Sequence, residues 1–195
     1  KDPSRVTHNI VKSITTNLDQ PITIPRATFA EIHLDNFRNN LMNLRSIVGQ
    51  KTKIMAVVKA NAYGHGAVPC AKAAIQAGAD YLGVGILEEG IELRQNEITA
   101  PILVLGSIFQ NEIEDLVQYG LSTILCTQAL AEALSREAAK VGKTVGVHLK
   151  IDTGMGRLGI LPDNLLPLAD KIRNYPNLCL EGVSTHISSA DDEDP

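Results

Sequence analysis

The stretch Ser122–Ile151, STILCTQALAEALSREAAKVGKTVGVHLKI, reads as one complete strand–helix–strand unit. Its opening run Ser122–Cys126 (STILC) and closing run Val145–Ile151 (VGVHLKI) are short, apolar and rich in β-branched residues, as buried strands require. Between them, Gln128–Val141 carries alanine and leucine at helical spacing, and Gly142 supplies the stop. The pattern repeats on both sides. Further strands are predicted at Lys53–Val58, Tyr81–Gly85, Ile102–Leu105 and Gly182–His186. Helices are predicted at Pro69–Ala77, Glu88–Asn96, Asn111–Tyr119 and Leu168–Asn174. Nearer the start, Thr28–Leu34 (TFAEIHL) alternates and predicts a half-exposed strand. Asp35 is then expected to cap a helix with an apolar stripe of Phe37, Leu41, Leu44 and Val48, stopped by Gly49.

Strands separated by helices imply right-handed crossovers and a parallel α/β sheet. Two closures satisfy this: an open doubly wound sheet, or a (β/α)8 TIM-like barrel. A barrel needs eight strands and about 250 residues. The six main strand units would then form about three-quarters of it.

The chain has 195 residues, 44% hydrophobic and 21% charged, with a formal net charge of −4. That balance excludes an intrinsically disordered chain and argues against nucleic acid as a partner. No apolar run approaches the roughly 20 residues of a membrane-spanning helix. Cys70, Cys126 and Cys179 match neither a disulfide framework nor a zinc pattern, which points to reduced thiols in a cytoplasmic protein. No cluster has metal-ligand spacing, no P-loop is present, and Gly83-x-Gly85 is too short for a dinucleotide fingerprint. Residues 1–25 are expected to be a poorly ordered extension before a domain at 26–195. The start at Lys1 and the acidic finish Asp191–Pro195 are read as the ends of a piece of a longer protein.

In parallel α/β folds, chemistry collects where strands end. Lys59 directly follows the apolar run IMAVV and precedes Ala60-Asn61-Ala62-Tyr63-Gly64-His65-Gly66. Partial desolvation there favours the neutral, nucleophilic amine that imine formation needs. A lysine snorkelling out of a strand beside a glycine-rich turn would look the same. In the strand ending His148-Leu149-Lys150-Ile151-Asp152, period two places His148, Lys150 and Asp152 on one face. The loop beyond contains Gly154 and Gly156 and delivers Arg157, whose planar fork suits a carboxylate or phenolate oxygen. A structural Lys150–Asp152–Arg157 ion network is the alternative. His186 ends the last strand and could lie against an aromatic cofactor or fill an ordinary core role. His33 reads as structural, and Glu88, Glu89 and Glu92 read as a solvated helix face with Arg94 making no same-face pair.

Three of these segments together resemble one family. AVVKANAYGHG (Ala56–Gly66) resembles the pyridoxal 5'-phosphate (PLP) attachment segment of alanine racemases. LKIDTGMGRLG (Leu149–Gly159) is similar to that family's second signature, and THISSAD (Thr185–Asp191) to a third. RATFAEIHLDNFRNNL (Arg26–Leu41) also fits. The resemblance implies a (β/α)8 barrel followed by a β-rich C-terminal domain that this chain does not contain, in a homodimer. It implies that Lys59 holds PLP as a Schiff base and acts as a base on one face of the substrate's α-carbon. Tyr63 would contact the cofactor phosphate. Arg157 would meet the phenolic oxygen and the substrate carboxylate, and Lys150 would be the lysine that some members carry as a carbamate. His186 would lie beside the cofactor ring.

The implied reaction interconverts L- and D-alanine, supplying D-alanine for peptidoglycan. The opposite-face proton would pass through a tyrosine of the partner subunit, so this chain alone is not expected to racemise efficiently. Three other readings remain at this point: a non-catalytic PLP-homeostasis barrel, a racemase of broader amino-acid specificity, and a Schiff-base aldolase-type barrel without PLP.

Overall fold

A computed structural model describes residues 30–191 of the chain. Helix α1 spans Leu34–Val48. Strand β1 (Met55–Val57) leads into a single turn, Lys59–Tyr63, and helix α2 (Ala67–Gln76). There follow β2 (Tyr81–Val84), α3 (Leu87–Gln95), β3 (Ile102–Val104), a 3-10 turn (Gln110–Glu112) and α4 (Ile113–Gln118). Then come β4 (Ser122–Leu125), α5 (Gln128–Lys140), β5 (Val145–Ile151), a 3-10 turn (Pro162–Asn164), α6 (Leu165–Ile172) and β6 (Leu178–Thr185).

All six strands form one parallel sheet in the order β1-β2-β3-β4-β5-β6. That order separates the two closures left open above. A doubly wound sheet reverses its strand order to place helices on both faces. Sequential order with crossovers of one hand keeps every helix on one face, which is the architecture of a barrel wall. Burial along β5 agrees: Val145, Val147 and Leu149 are buried, while Gly146, His148 and Lys150 alternate on the inner side. The core is the layer between sheet and helices, with Leu82, Leu93, Leu116, Leu134 and Leu149 fully buried. Each such side chain stabilises the fold by roughly 1.5–3 kcal/mol.

Between Val147 and His148 the β5–β6 register shifts, so that Val147 pairs with Leu180 and His148 with Gly182. Glu181 is the extra residue of this bulge, and its carboxylate accepts hydrogen bonds from Tyr81 Oη (3.2 Å) and Ser122 Oγ (3.1 Å). His148 Nε2 lies 3.3 Å from the same carboxylate. Burial, and then the Glu181 charge, push the Tyr81 phenol above its usual range. Tyr81, Ser122 and Glu181 line a cavity of about 380 Å³ at the N-terminal ends of the strands, opposite the rim that carries Lys59.

Several sequence expectations are corrected. The described part of Thr28–Leu34 is not a strand: residues 30–33 form no element, and Leu34 already opens α1. Alternation makes a strand only with a neighbour to bond, and among the described residues the sole partner of β1 is β2. His33, not Asp35, occupies the N-cap of α1, and Leu44 and Val48 are exposed while Leu41 is buried. Instead, the C-terminal part of α1 is tethered by Arg45, which donates to Gly78 O (2.9 Å) and pairs with Asp80. β6 begins at Leu178 rather than Gly182, because Leu178 and Leu180 pack against the core. α6 starts at Leu165, three residues before Leu168, because the turn at Pro162–Asn164 initiates it. Arg94 is half-buried and donates to the carbonyls of Ile98, Ala100, Tyr119 and Gly120. Residues 1–25 lie outside the described residues.

Candidate active site at the C-terminal rim

Parallel strands in sequential order bring their C-terminal ends to one rim. Lys59 follows β1, Gly85 follows β2, Gly106 lies just past β3, Cys126 follows β4, Asp152 follows β5, and His186 follows β6. The sequence-predicted residues Lys59, Lys150, Arg157 and His186 all belong to this rim or its loops.

The backbone beside Lys59 is unusual. Ala60, Asn61, Ala62 and Tyr63 have φ of 50°, 54°, 51° and 53°, a full left-handed turn without glycine. L-residues avoid this region at roughly 1–2 kcal/mol each, so the turn persists only because its surroundings hold it. Ala62 N–H donates to Val58 O at 2.8 Å, and Gly66 N–H donates to Asn61 O at 2.9 Å. Asn61 Oδ1 accepts from Ala67 N–H at 2.7 Å and so ties the turn to the start of α2. Glu89 Oε1 accepts from Ala60 N–H at 2.6 Å. Lys59 is half-buried, and its Nζ lies 6.0 Å from the centroid of the exposed Tyr63 ring.

Space around Lys59 is set by glycines. A Cβ on Gly85 would meet Lys59 Cβ at 3.4 Å, and one on Gly106 would meet Gly85 O at 2.3 Å. The segments following β2 and β3 therefore approach each other more closely than a Cβ at position 106 permits, while a Cβ at position 85 would only reach contact distance from Lys59.

At the end of β5, burial and then the neighbouring Arg157 charge push the Lys150 ammonium below its usual range. Asp152 does not join an ion network: among the described residues no ion pair links Lys150, Asp152 and Arg157. Its carboxylate instead accepts from Gly154 N–H and Gly156 N–H, each at 3.0 Å. These bonds, Gly156 first, hold the Asp152 carboxyl below its usual range. The loop bearing Arg157 closes at its base, where Ile160 N–H donates to Lys150 O (2.8 Å) and Asp152 N–H donates to Ile160 O (2.9 Å). Arg157 and His186 are exposed at the rim. Thr185 Oγ1 bridges the neighbouring strand ends, bonding to Ile151 O (2.9 Å) and Thr153 Oγ1 (2.7 Å).

Two residues of this rim escaped the sequence reading. Glu89 is not part of a solvated helix face; it is half-buried and bonds to backbone at the ends of β1 and β2. Asn61 anchors the left-handed turn. The only sequence signal for Glu89 was its place three residues after Ile86, at the start of a helix, where a glutamate reaches back to main-chain N–H groups.

The residue set matches the chemistry of an aldehyde-bearing phosphorylated pyridine. It offers two half-buried amines, Lys59 in a glycine-walled recess and Lys150 at the end of β5, with a phenol, a guanidinium and an imidazole on the same rim. The family described as alanine racemase, N-terminal domain, matches residues 32–195. An alanine racemase of Symbiobacterium thermophilum is 46% identical over 167 residues, covering 86% of this chain and 44% of that protein. One from Halothermothrix orenii is 42% identical over 171 residues, covering 88% of this chain and 45% of that protein. The solved alanine racemase of Clostridium difficile superposes with a TM-score of 0.83 at 40% identity, covering 88% of this chain and 45% of that one. The chain thus spans less than half the length of these relatives. Sequence, strand order and rim residues agree: the chain belongs to the alanine racemase N-terminal domain family.

Proposed function

We propose that this chain is the PLP-binding barrel portion of an enzyme that interconverts L- and D-alanine. The observation that carries the reading is the placement of Lys59, a half-buried amine leaving a held left-handed turn on the rim that also bears Arg157 and Lys150.

Lys59 would hold the cofactor covalently through its amine, with Tyr63 bonding the phosphate and His186 beside the ring. When bound, PLP acts as an electron sink that makes a substrate α-proton acidic. Lys59 would carry that proton on one face of the α-carbon. Arg157 would orient the substrate by pairing with its carboxylate and would keep one positive charge near the cofactor's phenolic oxygen. Asp152 fixes the loop that carries Arg157 by accepting two of its N–H groups. Lys150, whose ammonium is disfavoured by burial and by Arg157, would more readily give up its proton to supply the neutral amine that carbamate formation with CO₂ requires; a carbamate would hold Arg157 in place. A proton delivered to the opposite face comes from a tyrosine of the partner subunit in a homodimer. The reaction supplies D-alanine for cell-wall peptidoglycan in the cytoplasm.

The test combines two measurements on the full protein. Borohydride reduction after PLP addition, followed by peptide mapping, is expected to label Lys59. A polarimetric or coupled assay is expected to show L-to-D conversion that Lys59→Ala abolishes. A label elsewhere, or turnover that survives the substitution, refutes the reading.

A further inference from the structure

The Glu89 carboxylate makes three contacts with main-chain N–H groups. Oε2 accepts from Gly85 N–H at 2.7 Å and, more weakly, from Ile86 N–H at 3.4 Å. Oε1 accepts from Ala60 N–H at 2.6 Å. The Ile86 contact is what a glutamate in the first turn of a helix ordinarily makes, and it would account for Glu89 as a helix cap alone. The other two are shorter and lie outside the helix. One belongs to the residue following Lys59, the first of four successive left-handed residues. The other belongs to Gly85, whose missing Cβ would sit 3.3 Å from Glu89 Oε2 and 3.4 Å from Lys59 Cβ. A single side chain from α3 thus joins the ends of β1 and β2 at the point where Lys59 leaves the backbone.

We propose that Glu89 is the positioning residue for Lys59: by clamping Ala60 and Gly85 it sets the direction of the lysine side chain and hence the rate at which its amine captures the cofactor aldehyde. The inference rests on the function proposed above. An ionised carboxylate suits this task because both oxygens only accept, and charge-assisted bonds to N–H are the stronger kind. An amide of the same shape fails, since one of its two ends must turn an NH₂ toward an N–H donor. Aspartate keeps the charge but is one methylene too short to reach both groups.

The capture step joins Lys59 Nζ to the aldehyde carbon as a C=N bond and releases water. Borohydride then adds hydride to that carbon, and the nitrogen takes a proton from solvent, leaving a stable secondary amine that mass spectrometry can count.

The experiment strips cofactor from the full protein, adds PLP, quenches with borohydride at intervals and maps the label. Glu89→Gln, Glu89→Asp and the exposed neighbour Glu88→Gln are compared with wild type. Thermal melting of the cofactor-free proteins and kcat and KM for alanine are measured alongside. Glu89→Gln is expected to slow labelling at Lys59 at least tenfold and to lower kcat by a similar factor, with KM within twofold. Glu89→Asp is expected to fall between, and Glu88→Gln to match wild type. A role confined to capping α3 would lower the melting temperature and leave the labelling rate unchanged, and that result overturns the proposal. Should Glu89→Gln fail to fold, Glu89→Asp decides, since it keeps the charge but cannot reach Gly85 N–H and Ala60 N–H together: wild-type labelling there is equally fatal. Absence of label at Lys59 in the wild type would instead sink the function proposed above.

Discussion

Gly159 closes the loop that carries Arg157, and replacing it with alanine isolates what that loop contributes. Its φ is 144°, and an added Cβ would stand 2.4 Å from Asp152 N, 2.6 Å from Ile151 C and 3.0 Å from Asp152 Cα. All three are main-chain atoms at the end of β5, so no side chain can swing away to relieve the contact. If the loop stays in place, the dihedral costs about 1–3 kcal/mol and the overlap about the same again. If it lets go, the protein loses the two hydrogen bonds between Ile160 and β5, together about 1–3 kcal/mol. Release is the cheaper response. The expected effect of Gly159→Ala is a local opening of about 2 kcal/mol, roughly a thirtyfold loss of the closed loop. Native-state hydrogen exchange reads this directly: protection of the Asp152 and Ile160 amides falls about thirtyfold, while Val147 and Leu149 stay protected. Because Arg157 rides on the loop, KM for alanine rises with kcat less affected. Unchanged protection at Asp152 and Ile160, or a uniform loss along β5, would show that the loop is not held as described.

Three further outcomes follow from the same geometry. Asn61→Ala removes the acceptor for Ala67 N–H and puts a β-carbon without local hydrogen bonding at φ 54°; a loss of about 0.5–2 kcal/mol is expected in chemical denaturation, with slower PLP labelling at Lys59. Lys150→Met tests the half-buried amine, in protein free of CO₂ adduct, by its pH dependence. The folded state holds Lys150 below its ordinary value of 10.5, so between the two values the unfolded chain binds the extra proton and wild-type stability rises with pH. The difference between wild type and Lys150→Met is therefore expected to shift in favour of wild type as pH climbs toward 10.5, and a pH-independent difference contradicts the assignment. Leu93→Ala empties a fully buried site between α3 and the sheet and is expected to cost about 2–5 kcal/mol, read as a lowered denaturation midpoint at unchanged slope.

Much of the rim was legible in the sequence because its residues announce themselves locally. Lys59 and Lys150 stand at the ends of apolar β-branched runs, and Arg157 follows glycines in a short loop; strand polarity alone then assigns them to one edge. Glu89 was not legible. Its partners are Gly85, four residues back, and Ala60, in a different β–α unit, and nothing in a helical charge pattern distinguishes a solvated glutamate from one turned toward another strand's end. The left-handed turn was equally hidden, because Ala60, Asn61, Ala62 and Tyr63 include only one residue type that visits that conformation readily.

From the chain of residues alone came the alternation of strand and helix, since periodicity and glycine stops act over a few neighbouring positions, and the rim lysines and arginine, since they lie in continuous motifs. The order β1 to β6, the absence of a strand over residues 30–34, the bulge at Glu181 and the clamp on Lys59 belong to the tertiary structure. Each depends on a hydrogen bond or a contact between segments distant in the chain, and the free energy that selects it does not exist until those segments meet.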